Sequence, residues 1–346
     1  MIAFLAYSYL QISTWGNYEK DPIELQNDFA QLMNERYRHV KDTCAQTNLV
    51  SKRSFLQSSH IYWMQKQNIA YCPSFKSATS TWLNNLVQIS NHSQPEIERV
   101  KQKHPFAPID QLRNLGAINP SRSKWSDYIT SLNYSHNLTG FMVVRHPFDR
   151  MVSAFRDKLE RNKTWYHHHY GEHFVKRYRQ QAIKVLGNDF FNETNNFGTL
   201  IDVKDNQRPS SEFASFWEFA QSVIDRYKID EHWAPIYEYC SICDPLNIKA
   251  FRYFLKFENL NDEEDLFIRK FHWDTQILIT EKLNQNRPHK ISGNDLTHLY
   301  FSILSNQQIF KLYQFYERDF ILFNYTFTIN NLRFPPLNFS INIDHH

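Results

Sequence analysis

The chain has 346 residues and a mass of 41.6 kDa, which suits one large domain with decorations rather than three. Apolar residues at 42% and charged residues at 22% exclude a disordered chain, and a net charge of +3 excludes an acidic tail protein and a histone-like one. Glycine numbers only 7, where average usage would give about 24, so a glycine-rich dinucleotide fold and collagen are both disfavoured.

Residues 1–18 open on an apolar stretch, with no charged side chain before Glu19. Its dense part is about ten residues, short of the roughly 20 that span a bilayer, and it has no basic segment before it. Two readings stay open: a short or trimmed signal anchor over 1–18, or the first apolar helix of a soluble domain. Residues 19–346 read as one domain. Within it, Leu25, Phe29, Leu32 and Val40 fall at helical intervals. Residues 69–72 form a short strand, and residues 77–87 a loop entering a helix with Trp82, Leu83, Leu86 and Val87 on one face. Residues 91–137, with Pro95, Pro105, Pro108 and Pro120, read as polar and irregular.

Residues 141–144 are wholly apolar, the pattern of a buried parallel strand. Pro147 follows, then a helix carrying Met151, Ala154, Phe155 and Leu159. Residues 162–212 read as a polar insertion in which His167, His168 and His169 form a solvated loop. An amphipathic helix is expected over 213–227, a strand over 251–257, and helices over 266–271 and 305–320. Strands alternating with helices predict an α/β fold, a mostly parallel sheet flanked by helices.

Two segments carry chemistry. In the first, a strand runs through Cys72 into a loop with Lys76, Ser77, Thr79, Ser80 and Thr81, and then into a helix. Backbone N–H groups at such a helix start point at an anion, the lysine adds a mobile charge, and the hydroxyls add donors. The glycines of a Walker A loop are absent. Taken alone, the segment also reads as a Ser/Thr-rich helix cap with a solvated lysine. In the second, Arg145 sits at the C-terminal end of the 141–144 strand, where open α/β sheets bind ligands. Ser153 follows eight residues on, inside the next helix. A guanidinium suits bidentate phosphate recognition and a hydroxyl can complete it.

Together these segments resemble the Golgi carbohydrate sulfotransferases that use 3′-phosphoadenosine-5′-phosphosulfate (PAPS). The branch in question holds the chondroitin and dermatan 4-sulfotransferases and the HNK-1 sulfotransferase. Cys72, Lys76, Ala78, Ser80 and Trp82 fall in register with that branch's 5′-phosphosulfate loop. Val144, Arg145, Pro147, Phe148, Arg150, Met151, Val152, Ser153, Ala154, Phe155, Arg156 and Lys158 match its longer 3′-phosphate motif. His232-Trp233, Cys240-x-x-Cys243, Lys256-Phe-Glu258-Asn-Leu260 and Tyr316-x-x-Asp319-Phe320-x-x-Phe323-x-Tyr325 resemble its later segments, and residues 36–44 its Arg-rich helix with one cysteine. The resemblance covers roughly 35–330. Phe75 departs from it, standing where the family has proline, and the region between His104 and Phe141 is longer.

The resemblance implies a P-loop-like, PAPS-binding sulfotransferase fold and a single catalytic domain over 19–346. It implies an enzyme moving a sulfuryl group from PAPS to a sugar hydroxyl, with the 4-OH of N-acetylgalactosamine in chondroitin- or dermatan-type chains as acceptor. Lys76, Ser77, Ala78, Thr79, Ser80 and Thr81 would hold the 5′-phosphosulfate, and Arg145 and Ser153 the 3′-phosphate. Lys76 would also meet charge on the leaving oxygen. A histidine suits the base: His104 is the first choice and His232 the second. No metal and no nucleic-acid partner are expected. The alternative is a glycan-binding protein that kept the fold and lost turnover; a P-loop nucleotide kinase is disfavoured by the missing Walker glycines.

The implied location is the Golgi membrane, type II, with the catalytic domain lumenal. Seven N-x-[ST] sequons, at Asn91, Asn133, Asn137, Asn162, Asn192, Asn324 and Asn338, suit such a glycoprotein. Four cysteines allow two disulfides. Cys240 and Cys243 are expected to be oxidised, either to each other or to Cys44 and Cys72. A zinc site would need four ligands, and no second pair follows.

Overall fold

The computed structural model describes residues 21–46, 60–104, 107–131, 138–160, 164–188, 191, 213–239, 241–277, 293–329 and 332–334. Strands β1 (Tyr62–Met64), β2 (Ile69–Cys72), β3 (Thr139–Val144) and β4 (Phe251–Lys256) form one sheet in that order. The pairs β2–β3 and β3–β4 are parallel, and β1 is an antiparallel edge. Every residue of β1, β2 and β3 is buried. That is why they read as continuous apolar runs without alternation.

The pleat of β3 divides the interior. Met142 and Val144 join one core with Phe148, Met151 and Phe155, while Phe141 and Val143 join another with Trp82, Leu86 and Phe267. The helices after β2 and β3, α2 (Thr79–Ile89) and α6 (Pro147–Lys158), belong to these two opposite cores. Gly140 sits where β3 shifts register against β4. A Cβ there would lie 2.0 Å from the Ala250 carbonyl oxygen, so only glycine lets the two backbones meet.

Helix α1 (Pro22–Gln46) crosses β4 and the helix after it, α9 (Leu260–Lys270). It is fixed there by Arg36, which donates to both Glu263 carboxylate oxygens at 2.7 Å and to the Phe254 carbonyl at 2.7 Å. Helices α7 (Glu172–Leu186), α8 (Phe216–Ile224), α10 (Gly293–Phe301) and α11 (Asn306–Leu322) close the side of α6, followed by a hairpin of β5 (Phe327–Ile329) and β6 (Leu332–Phe334). Ser215 and Ser305 open α8 and α11 with reciprocal capping boxes to Glu218 and Gln308.

Two expectations are corrected. Residues 91–137 are not irregular: they hold α3 (Gln94–Lys103), α4 (Pro108–Asn114) and α5 (Arg122–Ser131). Pro95 and Pro108 fall in the first turns of α3 and α4, where the missing N–H has no helical acceptor to lose. Residues 162–212 are not wholly an insertion of loop. They contain the π-helical turn His167–Gly171 and α7, while residues 192–212 lie outside the described set. The histidine run is helical rather than a loop: His167 is buried against Phe213, with ring centroids 4.7 Å apart, while His168 and His169 are exposed.

Among the described residues no helix is long and apolar enough to cross a membrane. Residues 1–18 lie outside that set, as do sequons Asn133, Asn137, Asn162, Asn192 and Asn338. Asn91 and Asn324 are exposed, in left-handed backbone with φ of 58° and 50°.

Cys44 of α1 is bonded to Cys243, 199 residues away. Cys72 is also in a disulfide, and Cys240 lies outside the described residues. Cys243 therefore reaches out of its own Cys-x-x-Cys pair, the second of the two arrangements open in the sequence. Closing so long a loop removes entropy from the unfolded chain worth about 5 kcal/mol in the chain-entropy account, with measured losses nearer 2–5. The Cys44→Ser/Cys243→Ser variant is expected to unfold at a clearly lower temperature in a calorimetric scan. An unmoved transition would mean that the bridge contributes nothing.

Candidate active site

In β2 and β3, Cys72 pairs with Met142, so both strands end at the same sheet edge. The chain leaves β2 into residues 73–78 and leaves β3 into Arg145 and His146. This C-terminal edge is where open α/β sheets present their ligand loops. The 73–78 loop is bent by two left-handed residues, Lys76 at φ 68° and Ala78 at φ 59°. Such backbone normally selects glycine and costs about 1–3 kcal/mol per residue elsewhere.

Its restraints are local. The Ser74 carbonyl accepts from Ser77 N at 3.1 Å and from Thr79 Oγ1 at 2.7 Å, and the Ser74 and Ser77 hydroxyls lie 3.2 Å apart. Arg145 Nη1 donates to the Lys76 carbonyl at 2.8 Å. Ser77 and Thr79 are therefore buried braces of the loop, Thr81 is buried on α2, and Ser80 is half-buried. Ala78 caps α2 without a side-chain hydrogen bond. The start of α2 has no side-chain cap at Ala78, and the first N–H groups of a helix form a site that favours an anion.

The cations gather here. Arg145 lies over the Phe257 ring at 4.3 Å, and beyond its bond to the Lys76 carbonyl its guanidinium has no hydrogen-bond partner among the described residues. Lys76 Nζ is 3.0 Å from Asp157 Oδ2, which Lys158 Nζ approaches at 3.1 Å. Burial lowers the pKa of Lys76, and the Asp157 charge opposes that shift. Burial acts to raise Asp157, but the charge of Lys76 and its hydrogen bond, then Lys158, outweigh it and leave the carboxyl lowered. Burial also lowers Arg145. Ser153 is half-buried on α6, one turn before Asp157.

His232 adjoins the loop, its ring 4.8 Å from that of Phe75. Its Nδ1 lies 2.6 Å from Asp230 Oδ1 and 3.3 Å from the Tyr166 hydroxyl. An ionised carboxylate can only accept, so Nδ1 carries the proton and Nε2 is the basic nitrogen; it has no hydrogen-bond partner among the described residues. Burial lowers the His232 pKa, with the Asp230 hydrogen bond opposing and Lys158 reinforcing.

The histidine is held from behind. Arg150 donates to the His232 carbonyl at 3.1 Å and to that of Ala234. Tyr316 donates to the Trp233 carbonyl at 2.5 Å, and Asp319 accepts from Ile236 N and Tyr237 N at 2.6 and 2.8 Å.

His104 lies elsewhere. It ends α3, its carbonyl accepts from Gln111 at 2.6 Å, and its Nε2 is 3.3 Å from Asn114 Nδ2, both partners on α4. Lys76, Arg145 and His232 thus gather at one end of the sheet, and among the described residues His104 makes no hydrogen bond to them. Sequence reasoning missed Asp157, Asp230 and Tyr166. Asp157 stands four residues after Ser153, on the same face of a helix. Asp230 stands two residues before His232, the spacing at which its carboxylate also caps His232 N at 2.9 Å.

The sulfotransferase family profile matches residues 59–326. Mouse carbohydrate sulfotransferase 8 is 25% identical over 312 residues, covering 87% of this chain and 66% of that protein. The human protein of the same name is 24% identical, covering 84% and 62%. Rat carbohydrate sulfotransferase 11 is 25% identical over 322 residues, covering 88% and 80%. The chain spans slightly less than two thirds of the length of the first two. No solved structure matches it significantly. The sulfotransferase profile spans most of the sequence, over a mostly parallel sheet with the Lys76 loop after β2 and Arg145 after β3, and shows that the chain belongs to the sulfotransferase family.

Proposed function

We propose that this protein transfers a sulfuryl group from PAPS to a sugar hydroxyl of a glycan, the 4-OH of N-acetylgalactosamine in a chondroitin- or dermatan-type chain being the acceptor. One observation supports the reading: Arg145 Nη1 bonds the Lys76 carbonyl at 2.8 Å, which ties the arginine after β3 to the lysine loop leading into α2, whose start has no side-chain cap. A donor with a 5′-phosphosulfate and a separate 3′-phosphate needs two such charges. Lys76 with the first N–H groups of α2, from Thr79, Ser80 and Thr81, would hold the former. Arg145, with donors to spare, and Ser153 would hold the latter. Ser77 would act through its brace on the loop, and Ala78 through its backbone.

His232 is the base we propose, since it touches the loop through Phe75 and its Nε2 has no hydrogen-bond partner among the described residues. The acceptor oxygen forms a bond to sulfur as the bond from sulfur to the bridging phosphate oxygen breaks. The hydroxyl proton goes to Nε2, and adenosine 3′,5′-bisphosphate leaves with its new charge beside Lys76. Catalysis is by positioning and charge stabilisation in an in-line, loose transition state. This chemistry calls for no metal. The Cys44–Cys243 bridge supports an oxidising compartment, and we propose a Golgi lumenal domain with a type II anchor from the N-terminal apolar stretch.

Incubation with ³⁵S-labelled PAPS and a panel of desulfated glycosaminoglycans tests the reading. Label on desulfated chondroitin is expected. Tight glycan binding without label would instead indicate a glycan-binding protein. In calorimetric titration with adenosine 3′,5′-bisphosphate, Arg145→Ala is expected to bind roughly 10- to 150-fold more weakly. That corresponds to about 1.5–3 kcal/mol for a charged hydrogen-bonded pair. Unchanged affinity would remove Arg145 from the donor site.

A further inference from the structure

Trp165 is 57% exposed, although it is the bulkiest apolar side chain type. It is not a lone surface residue. Its ring stacks on His169 with centroids 4.2 Å apart and planes 16° apart, one helical turn on. It also meets Tyr166 edge-on at 5.1 Å. Tyr166 carries Lys158 Nζ over its own ring at 4.7 Å and packs against the His232 ring at 5.3 Å. A row of rings therefore leads from the solvent-facing indole to the histidine beside the anion loop.

We propose that the Trp165–His169 stack is a binding subsite for a pyranose ring of the acceptor glycan, one or more sugars away from the reacting hydroxyl. This rests on the sulfuryl-transfer reading for its occupant. A sugar ring presents a flat face of C–H groups and a rim of hydroxyls. An indole already stacked on one side offers a rigid apolar face on the other and loses little conformational entropy on binding. The indole N–H and the imidazole supply polar groups at the rim. A protein partner fits less well: a stable interface takes about 800 Å² from each side, and among the described residues the exposed apolar element here is a single stacked pair. Continuity with His232 through Tyr166 gives the subsite a direction, since a chain seated on Trp165 can extend past Tyr166 to the candidate base.

The test separates the subsite from the reading beneath it. Trp165→Ala is expected to raise the KM for desulfated chondroitin about tenfold, which is about 1.4 kcal/mol, with kcat and the KM for PAPS within twofold. Trp165→Phe is expected to recover most of the loss. Unchanged affinity for adenosine 3′,5′-bisphosphate verifies that the variants fold. Calorimetric titration of the bisphosphate-loaded protein with a desulfated chondroitin hexasaccharide gives a readout that needs no turnover. An active enzyme whose KM ignores both variants overturns the subsite alone. A wild-type protein that transfers no label, yet binds the hexasaccharide in a Trp165-dependent way, keeps the subsite and overturns the transfer reading. A wild-type protein that neither binds the hexasaccharide nor transfers label to desulfated chondroitin overturns both.

Discussion

His232→Ala is expected to lower kcat by about 10²–10⁴, the range for a lost general base, while bisphosphate affinity stays within a few fold. The pH profile is the sharper measurement. The base works in its neutral form, so the rate falls as pH drops through its pKa. Burial lowers that pKa below the ordinary 6.5, with Asp230 opposing and Lys158 reinforcing. In kcat/KM for PAPS, which reports the free enzyme, the acidic limb is therefore expected below 6.5. The limb disappears in His232→Ala and survives in His104→Ala. A limb lost with His104 and retained with His232 would reverse the assignment. Survival in both would move the base to a carboxylate such as Glu231, the neighbour of His232, whose pKa burial raises.

Lys76→Ala is expected to cut kcat and kcat/KM alike, by about 10²–10³, the loss typical of one donor aimed at developing charge. Product affinity is expected to change far less. Asp157→Asn probes the same lysine from the other side. The Asp157 carboxylate raises the Lys76 pKa against the stronger effect of burial, so its removal lowers that pKa further. Because Lys76 must be protonated to stabilise the leaving oxygen, the alkaline limb of the profile moves to lower pH in Asp157→Asn. An alkaline limb that stays in place would show that Lys76 is not the group titrating there.

What the sequence revealed follows physical lines. The segments containing β2 and β3 were legible because a parallel strand covered on both faces must be apolar throughout, and the loops after them carry their own charges. Helices α3 and α4 were not, because Pro95 and Pro108 look like breakers until their first-turn positions are known. His167 looked solvated because its neighbours are polar, yet the π-helical turn carries it inward against Phe213. Lys76, Arg145 and Ser153 were legible as types in a pattern. The choice between His104 and His232 was not, since it turns on which one a distant segment folds against the loop. Asp157 was hidden because an acid between Arg156 and Lys158 looks like an ordinary surface ion pair.

The clamp on the His232 segment also bears on when the protein becomes competent. Ile236 N and Tyr237 N bond to Asp319 across 83 and 82 residues of chain, and Tyr316 reaches the Trp233 carbonyl across 83. Contacts so far apart in sequence form late, after loop-closure entropy has been overcome. A nascent chain can complete β2, β3 and the anion loop long before α11 has been synthesised. Until α11 docks, the segment bearing His232 lacks three of the hydrogen bonds that fix its backbone. Synthesis thus runs in an order that completes the strand ends bearing Lys76 and Arg145 first and fixes the segment bearing His232 last; on the proposed roles, an unfinished chain would hold the nucleotide without transferring from it.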